Sequence, residues 1–297
     1  MHGPFLLAVL AGLGGMLGWG LADFFAKKTI DLIGDVQTLL LAHLFGAGAY
    51  LLVVAIRAAA SHSVSLPIDL PTWLGLAFFG TLQAAVYLLV YRGFGKGQLA
   101  VLNPIFASFS GLTALLSIFA FGEVVSGHMA LALALLFAGI LLINLDVGAQ
   151  REAQLRFARV PGFPEVAAAT LLAAVWTILW DRFVHGHDWL VYAAGMYVFM
   201  TLALVAYVLV RRVRVPMPKG SVWIWLALIG LCETGAYLAI SLGYGATPHV
   251  SVVALLSGAF SLPTIFLARV FLKERTTGLQ AVASLIILVG IVLLNLR

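Results

Sequence analysis

Cysteine and charge are both scarce in this sequence. The single cysteine, Cys232, cannot form an intramolecular disulfide or supply a cysteine-based metal site. Charged residues make up 10% of the 297 residues, whereas soluble globular domains carry roughly 25%. A chain of this length with so few charges cannot cover a surface that faces water. The 63% hydrophobic content therefore predicts an integral membrane protein.

The sequence also lacks the motifs that bind nucleotides, metals or nucleic acids. Its glycine-rich stretch, residues 12–20, lies inside an apolar run, where small residues allow helices to pack closely. The spacing of His185, His187 and Asp188 resembles no dependable metal site, and a solvated loop is the preferred reading. We therefore predict no cofactor, no metal, no catalytic residue and no nucleic-acid partner, in spite of the net charge of +5.

Ten apolar segments are candidates for membrane-spanning helices, each of which needs about 20 residues. Pro, Gly and charged residues separate them, and the pair Lys27-Lys28 is predicted to end the first. The first segment suits a retained span better than a cleaved signal, because no Lys or Arg precedes it. The predicted spans are residues 4–26, 36–57, 72–92, 98–121, 126–145, 164–182, 189–210, 221–242, 249–271 and 277–296.

The basic residues predict how the chain is oriented. Of the 17 Lys and Arg residues, 14 lie in the loops after the first, third, fifth, seventh and ninth spans, and three lie on the opposite side. Basic loops face the cytoplasm. The distribution therefore predicts a multi-pass protein of the cytoplasmic (inner) membrane, with both termini on the outer side.

The two halves of the chain resemble each other. Residues 121–145 align with residues 272–296 at an offset of 151, which matches Gly139 with Gly290, and the third and eighth spans align at an offset of 150. Each half holds five spans, which is an odd number, so the second half must insert in the inverted orientation. Inverted repeats suit alternating access, with a substrate site near the midplane between the repeats.

These repeats carry a resemblance to a known family. Each half has an acidic step, at Glu123 and Glu274, before an apolar last helix with a late Gly and Asn, and WGLADFFAKK occupies residues 19–28. Their order and spacing resemble the EamA-type transporters of the drug/metabolite transporter superfamily, over about residues 5–296. The resemblance implies a cavity lined mainly by spans 1, 3, 4, 6, 8 and 9. It also implies peripheral fifth and tenth helices, which can support a homodimer.

The predicted fold class is thus an all-α membrane protein of ten transmembrane helices, arranged as two inverted five-helix repeats. The first repeat covers residues 1–145, a cytoplasmic linker covers 146–163, and the second, inverted repeat covers 164–297. Glu123 and Glu274 are predicted to act as caps or loop anchors, not in transport.

Glu233 is the leading candidate for a functional residue. It lies 12 residues into the eighth span, which at ~1.5 Å per residue places it near mid-bilayer. Ionisable groups at that depth are costly and mostly face a cavity or a partner. Its counterpart in the first half is Gln83, and Tyr237 and Tyr87 follow the two at four residues. We predict a site that binds a cation or couples to protons at Glu233; the alternative is a neutral, hydrogen-bonded packing residue.

Aromatic and polar residues in other spans extend the predicted site. Ring faces can hold an organic cation, although aromatic residues also form the interfacial belt. Asp23 is predicted either to gate or couple transport or to pair with Lys27, and His43 is read as a packing residue. The additional candidates for lining the substrate site are Trp19, Trp176, Trp180, Asn103 and Ser257.

The resemblance implies a secondary transporter of small metabolites, because the family moves amino acids, amines, sugars and nucleotide derivatives. Glu233 and the aromatic residues favour an amine-bearing solute, such as an amino acid or a quaternary amine. A flippase for lipids or lipid-linked sugars, from the same superfamily, is the alternative. A membrane enzyme would call for an interfacial cluster of His, Asp or Arg, and a channel for a continuous polar stripe; the sequence shows neither. The predicted partners are a small-molecule substrate and membrane lipids.

Overall fold

The architecture is taken from a computed structural model that describes residues 2–61, 64, 69–96, 105–143, 161–271 and 277–295. Within those ranges every regular element is a helix. The helices are α1 (His2–Ile33), α2 (Asp35–Ser61), α3 (Leu70–Lys96), α4 (Phe109–Leu115, continued by a π-helical turn at Leu116–Ala120), α5 (Gly127–Ile143), α6 (Phe163–Val184), α7 (Trp189–Val210), α8 (Val222–Ala246), α9 (Val250–Gly258), α10 (Ser261–Phe271) and α11 (Gly278–Asn295).

Seven helical segments are long and apolar enough to cross a membrane. They are α1, α2, α3, α6, α7, α8 and the combined segment Val250–Leu267. Three shorter apolar segments correspond to the predicted fourth, fifth and tenth spans: Ile105–Ala120, Gly127–Leu142 and Gly278–Leu294. The chain is therefore a multi-pass, all-helical membrane protein over the described ranges, and seven of the ten predicted spans meet the length criterion.

The helices of the first and ninth predicted spans differ from the prediction, one in where it ends and the other in its continuity. The first does not end at Lys27-Lys28, because α1 continues to Ile33 and stops at Gly34, whose φ is +92°. Glycine adopts that left-handed conformation without a Cβ clash, which makes it a common helix terminator. The ninth is divided into α9 and α10 near Phe260. Pro263, in the first turn of α10, has no N–H to continue the hydrogen-bond ladder of α9.

The two halves pack against each other reciprocally. Helix α1 packs on α8 and its counterpart α6 packs on α3, while α5 packs on its own counterpart α11. In that last pair, a Cβ on Gly139 would lie 2.6 Å from Ile287, and one on Gly290 would lie 2.9 Å from Leu136. These contacts pair a later residue of α5 with an earlier residue of α11. The two equivalent helices therefore run antiparallel.

Glycines bring α1 close to α8, as the stretch at residues 12–20 predicts. A Cβ on Gly14 would lie 2.7 Å from Ala239, and one on Gly18 would lie 2.7 Å from the Cys232 carbonyl oxygen. No side chain fits between the helices at these positions, so the backbones approach each other directly. This approach places Trp19 of α1 beside Tyr237 of α8.

Candidate functional site

Glu233 lies in the interior of the helix assembly, on the face of α8 that meets α2 and α7. Its side chain is nearly buried, with the residue 7% exposed. The Tyr197 hydroxyl donates a hydrogen bond to its Oε2 at 3.2 Å, and Nδ1 of His43 lies 3.6 Å from the same oxygen. A buried carboxylate is retained only with partners of this kind, because isolation of its charge from water is costly.

His43 on α2 is fully buried and stacks on the Tyr197 ring, with centroids 5.1 Å apart and planes 10° apart. Its Nδ1 lies 2.8 Å from the Leu39 carbonyl oxygen. Because a carbonyl oxygen only accepts, Nδ1 carries a hydrogen in this arrangement. Nε2 is buried without a hydrogen-bond partner in the described part of the chain. Nε2 is therefore the ring nitrogen of His43 that is left to meet a further partner.

Two glycines explain why α2 reaches Glu233. A Cβ on Gly230 of α8 would lie 2.8 Å from the Gly46 nitrogen of α2, and Thr234 donates a hydrogen bond to the Gly46 carbonyl oxygen at 3.2 Å. The two helices therefore meet backbone to backbone. His43 lies three residues before Gly46, and Glu233 lies three residues after Gly230, so this contact brings the imidazole and the carboxylate together.

Tyr237 joins the two halves one turn beyond Glu233. Its hydroxyl donates to the Tyr87 hydroxyl at 3.3 Å and accepts from Nε2 of Gln83 at 2.8 Å. Tyr87 and Tyr237 are equivalent positions of the repeat, so the contact between them lies where the halves meet. The sequence predicted that Gln83, Tyr87 and Tyr237 share one site with Glu233, and the structure places them in one connected group.

Trp19 and Tyr50 complete this arrangement, which we call the Glu233 group. Trp19 packs edge-on against Tyr237, with ring centroids 5.6 Å apart. The ring centroids of Tyr50 and Tyr197 lie 5.0 Å apart. The members of the Glu233 group are Trp19, His43, Tyr50, Gln83, Tyr87, Tyr197, Glu233 and Tyr237.

Several hydrogen-bonding atoms of the Glu233 group are buried and have no partner among the residues that the structure describes. They are Trp19 Nε1, His43 Nε2, Tyr50 Oη and Gln83 Oε1. Buried polar atoms in native proteins are normally hydrogen-bonded, so each exception calls for an explanation such as a ligand or ordered water. Their concentration around one carboxylate makes the Glu233 group the candidate binding site among the described residues.

Asp23 lies one turn after Trp19 on α1, and its side chain is exposed. The charge of Glu233 acts on it electrostatically. The two carboxyl groups outnumber the single imidazole of His43, so their charges favour a cation nearby. The predicted Asp23–Lys27 pair involves a side chain outside the described residues, so the gating role of Asp23 stays a prediction.

Trp176 and Trp180, two of the predicted lining residues, occupy a different place. Their rings stack on each other with centroids 5.5 Å apart, and both rings contact the ring of Phe79. The Trp176 indole donates to the Phe79 carbonyl oxygen at 2.9 Å. These contacts share no member with the Glu233 group.

Two further predicted lining residues, Ser257 and Asn103, have no described contact with the Glu233 group. The Ser257 hydroxyl bonds to the Ala254 carbonyl oxygen within α9, and its Cβ lies where a side chain on Gly15 would sit. Asn103 lies outside the described residues. The lining role of both stays a prediction.

Sequence reasoning missed three members of the site. His43 was read as a packing residue outside the cavity, and Tyr50 and Tyr197 were not considered, because spans 2 and 7 were expected to lie away from the centre. The structure brings both spans to Glu233. One sequence feature could have predicted this contact. Each of the two helices has a polar residue three positions from a glycine, namely His43 near Gly46 and Glu233 near Gly230.

Glu123 is the one of the two predicted capping residues that the structure describes. Glu123 accepts hydrogen bonds from the Ser251 backbone N–H at 3.0 Å and from its hydroxyl at 2.6 Å. Ser251 lies in the first turn of α9, so Glu123 caps a helix of the other half and not α5, which it precedes. Glu274 lies outside the described residues.

Comparisons with known proteins agree with this architecture. The sequence profile of the EamA-like transporter family matches residues 6–145 and 162–296, one repeat in each half, and confirms the resemblance. One crystal structure is similar over 97% of this chain and 96% of its own, with a TM-score of 0.78 at 20% sequence identity. At that identity the likeness concerns the fold. A search among curated proteins found no match.

Proposed function

Because the chain belongs to the EamA-like transporter family, we propose that it is a secondary active transporter that moves a small organic solute across the cytoplasmic membrane by alternating access. The proposed topology has ten membrane spans, arranged as two inverted repeats, with both termini on the outer side. The antiparallel contact between α5 and α11 supports the inversion. The exposed apolar side chains of α11, such as Leu285 and Leu288, are open to lipid or to a second copy in a homodimer.

The proposed solute carries an amine, as an amino acid or a quaternary amine does. The observation that carries this proposal is a nearly buried carboxylate, Glu233, surrounded by tyrosine and tryptophan rings and by polar atoms without partners. The carboxylate supplies the counter-charge for an ammonium group, and aromatic faces attract a desolvated cation by about 2 kcal/mol. Neutral donors and acceptors such as Tyr50 and Gln83 can then bind the rest of the solute.

Glu233 and His43 together supply a route to proton coupling. Histidine changes charge near neutral pH, and an imidazolium at 3.6 Å neutralises the Glu233 carboxylate. An arriving ammonium group takes over that neutralising role. Binding of the solute then releases the proton of His43, so solute and proton compete for one carboxylate.

The test begins with a thermal-shift screen of the purified protein against amines, amino acids and lipid-linked sugars, since ligands that bind only the native state raise its apparent stability. A hit is then followed in proteoliposomes with Glu233→Gln, which keeps the size of the side chain and removes its charge. We expect at least tenfold slower uptake in this variant. Glu165→Gln is the matched control, because Glu165 pairs with Lys96 at the start of α6, away from the Glu233 group.

The outcomes separate the candidate functions. Unchanged uptake by Glu233→Gln between pH 5 and pH 8 removes the role of Glu233 in coupling. Stabilisation by lipid-linked sugars and not by soluble amines favours the flippase of the same superfamily.

A further inference from the structure

A second acidic residue is buried in the membrane region, outside the Glu233 group. Asp181 on α6 is 6% exposed, and its Oδ1 has no hydrogen-bond partner within the described ranges. An unpaired carboxylate oxygen inside a membrane protein is costly and marks a functional site by default. The proposed function assigns no role to it.

A second unpartnered polar atom lies at the level of Asp181. The ends of α6 and α8 meet where a Cβ on Gly245 would lie 3.7 Å from the Val184 carbonyl oxygen. Ser241 is one turn before Gly245, as Asp181 is one turn before Val184. The Ser241 hydroxyl is fully buried and also lacks a partner among the described residues. Tyr244, on the same side of α8, lies within electrostatic range of Asp181.

The repeat relates Asp181 to Asp23. Residues 21–25 read LADFF and residues 179–183 read LWDRF, so each of the equivalent helices α1 and α6 carries an aspartate in its second half, one position apart in the register that matches Trp19 with Trp176. Helix α1 runs antiparallel to α8, and α6 runs antiparallel to α3, where Trp176 bonds to Phe79 and Gly75 meets Phe183. If the halves are inverted, the two aspartates lie at opposite ends of the pathway.

The accessibility of the two aspartates differs. Asp23 is exposed and Asp181 is buried, so the two aspartates differ in solvent access in this conformation. Polar contacts between the halves lie near Asp181. Glu123, before α5, bonds to Ser251 of α9, and its charge also acts on Asp181, as do the charges of His185 and Arg182.

We propose that Asp181, Ser241 and Tyr244 form an outer binding station for the positive charge of the solute, at the end of the pathway opposite to Asp23. The proposal rests on the transport function proposed above. When the outer end opens, Asp181 becomes accessible and Ser241 and Tyr244 supply hydroxyl groups beside it. The ammonium group then moves between Asp181, Glu233 and Asp23, and meets a carboxylate at each stage.

The single cysteine makes a direct test available. In a Cys232→Ser background, Ser241→Cys carries the only thiol of the chain. Two membrane-impermeant methanethiosulfonate reagents are applied from the outer side of right-side-out vesicles, one with a trimethylammonium group and one with a sulfonate group. We expect the cationic reagent to react on the order of tenfold faster than the anionic one, because the Asp181 carboxylate attracts one and repels the other.

Three variants identify the source of that preference. Asp181→Asn should abolish it, Asp181→Glu should retain it, and Asp23→Asn, the matched control from the other half, should leave it unchanged for reagents applied outside. Absence of labelling from the outer side, or equal preference with and without Asp181, overturns the proposal. If Asp181→Asn does not fold, the absence of a preference in the parent protein still overturns it.

This labelling does not depend on what the protein transports. Loss of the preference, with uptake that still depends on Glu233, overturns the outer station alone. Uptake that is insensitive to Glu233→Gln overturns the proposed function of Glu233 alone.

Discussion

Replacement of His43 by glutamine tests the proton chemistry proposed for the Glu233 group. Glutamine can still donate to the Leu39 carbonyl oxygen, but it cannot hold a positive charge. The interaction at stake is large: a charge pair separated by 3.6 Å interacts by about 4–5 kcal/mol at an effective dielectric constant of about 20. Desolvation of the two buried charges offsets several kcal/mol of that. Because His43→Gln no longer competes with the amine for Glu233, we expect the variant to bind the amine more tightly. The net gain should be on the order of 1–2 kcal/mol, or five- to thirtyfold in affinity.

The measurement is the number of protons released when an amine identified by the screen binds. Titration calorimetry near pH 6.5, in two buffers of different ionisation enthalpy, yields this number. We expect the parent protein to release protons when the amine binds, because the ammonium group takes over the contact with Glu233, and His43→Gln to release fewer.

Thr201→Val is the matched control for this experiment. Its hydroxyl bonds to the backbone carbonyl oxygens of His43 and Tyr197, so the change perturbs the same region without removing a titratable group. If His43→Gln releases as many protons as Thr201→Val and the parent protein, His43 is not the proton donor and the reasoning fails.

Three further predictions concern stability and orientation. Gly139→Ala should lower the apparent Tm in detergent, because the added Cβ would lie 2.6 Å from Ile287 and overpacking costs about 1–3 kcal/mol; Gly127→Ala, where the Cβ meets nothing within 4 Å, should not lower it, and equal effects would contradict the packing of α5 on α11. Asp188→Ala should destabilise more than Arg57→Ala, because the ion pair between them is partly exposed and contributes about 1 kcal/mol at most, whereas Asp188 also caps α7, which adds ~1 kcal/mol; thermal unfolding of both variants checks the order, and the reverse order would refute the capping role. A reporter enzyme that is active only in the cytoplasm should work when inserted at residue 150 and not when fused after Arg297, and the opposite pattern would reverse the proposed orientation.

The membrane class and the twofold organisation of the chain could be predicted from the sequence because both depend on regular patterns. An apolar run of about 20 residues is long enough to cross the bilayer wherever it packs. An offset of 150 between the third and eighth spans pairs Gln83 with Glu233 and Tyr87 with Tyr237 without knowledge of any contact. Helix ends were less predictable, as α1 shows, because Gly34 and not Lys27-Lys28 terminates that helix.

The neighbours of Glu233 could not be predicted in the same way. His43 and Tyr197 lie 190 and 36 residues before Glu233 in the chain, and neither corresponds to it in the repeat. They reach it because Gly46 and Gly230 let α2 and α8 touch, and because α7 packs on α2 and on α8. Trp176 is the converse case, since its match with Trp19 in the repeat does not place it in the Glu233 group, and its lining role stays a prediction.

The sequence alone thus determined that this protein is a helical membrane protein with two related halves and a carboxylate within an apolar span, because hydropathy, charge and repetition are properties of the chain itself. The tertiary structure decided which side chains surround that carboxylate, and which of Asp23 and Asp181 is exposed. The physical reason is that a helix face is assigned by its packing partners. Inside a membrane all candidate faces are apolar, and close contacts between small residues select among them.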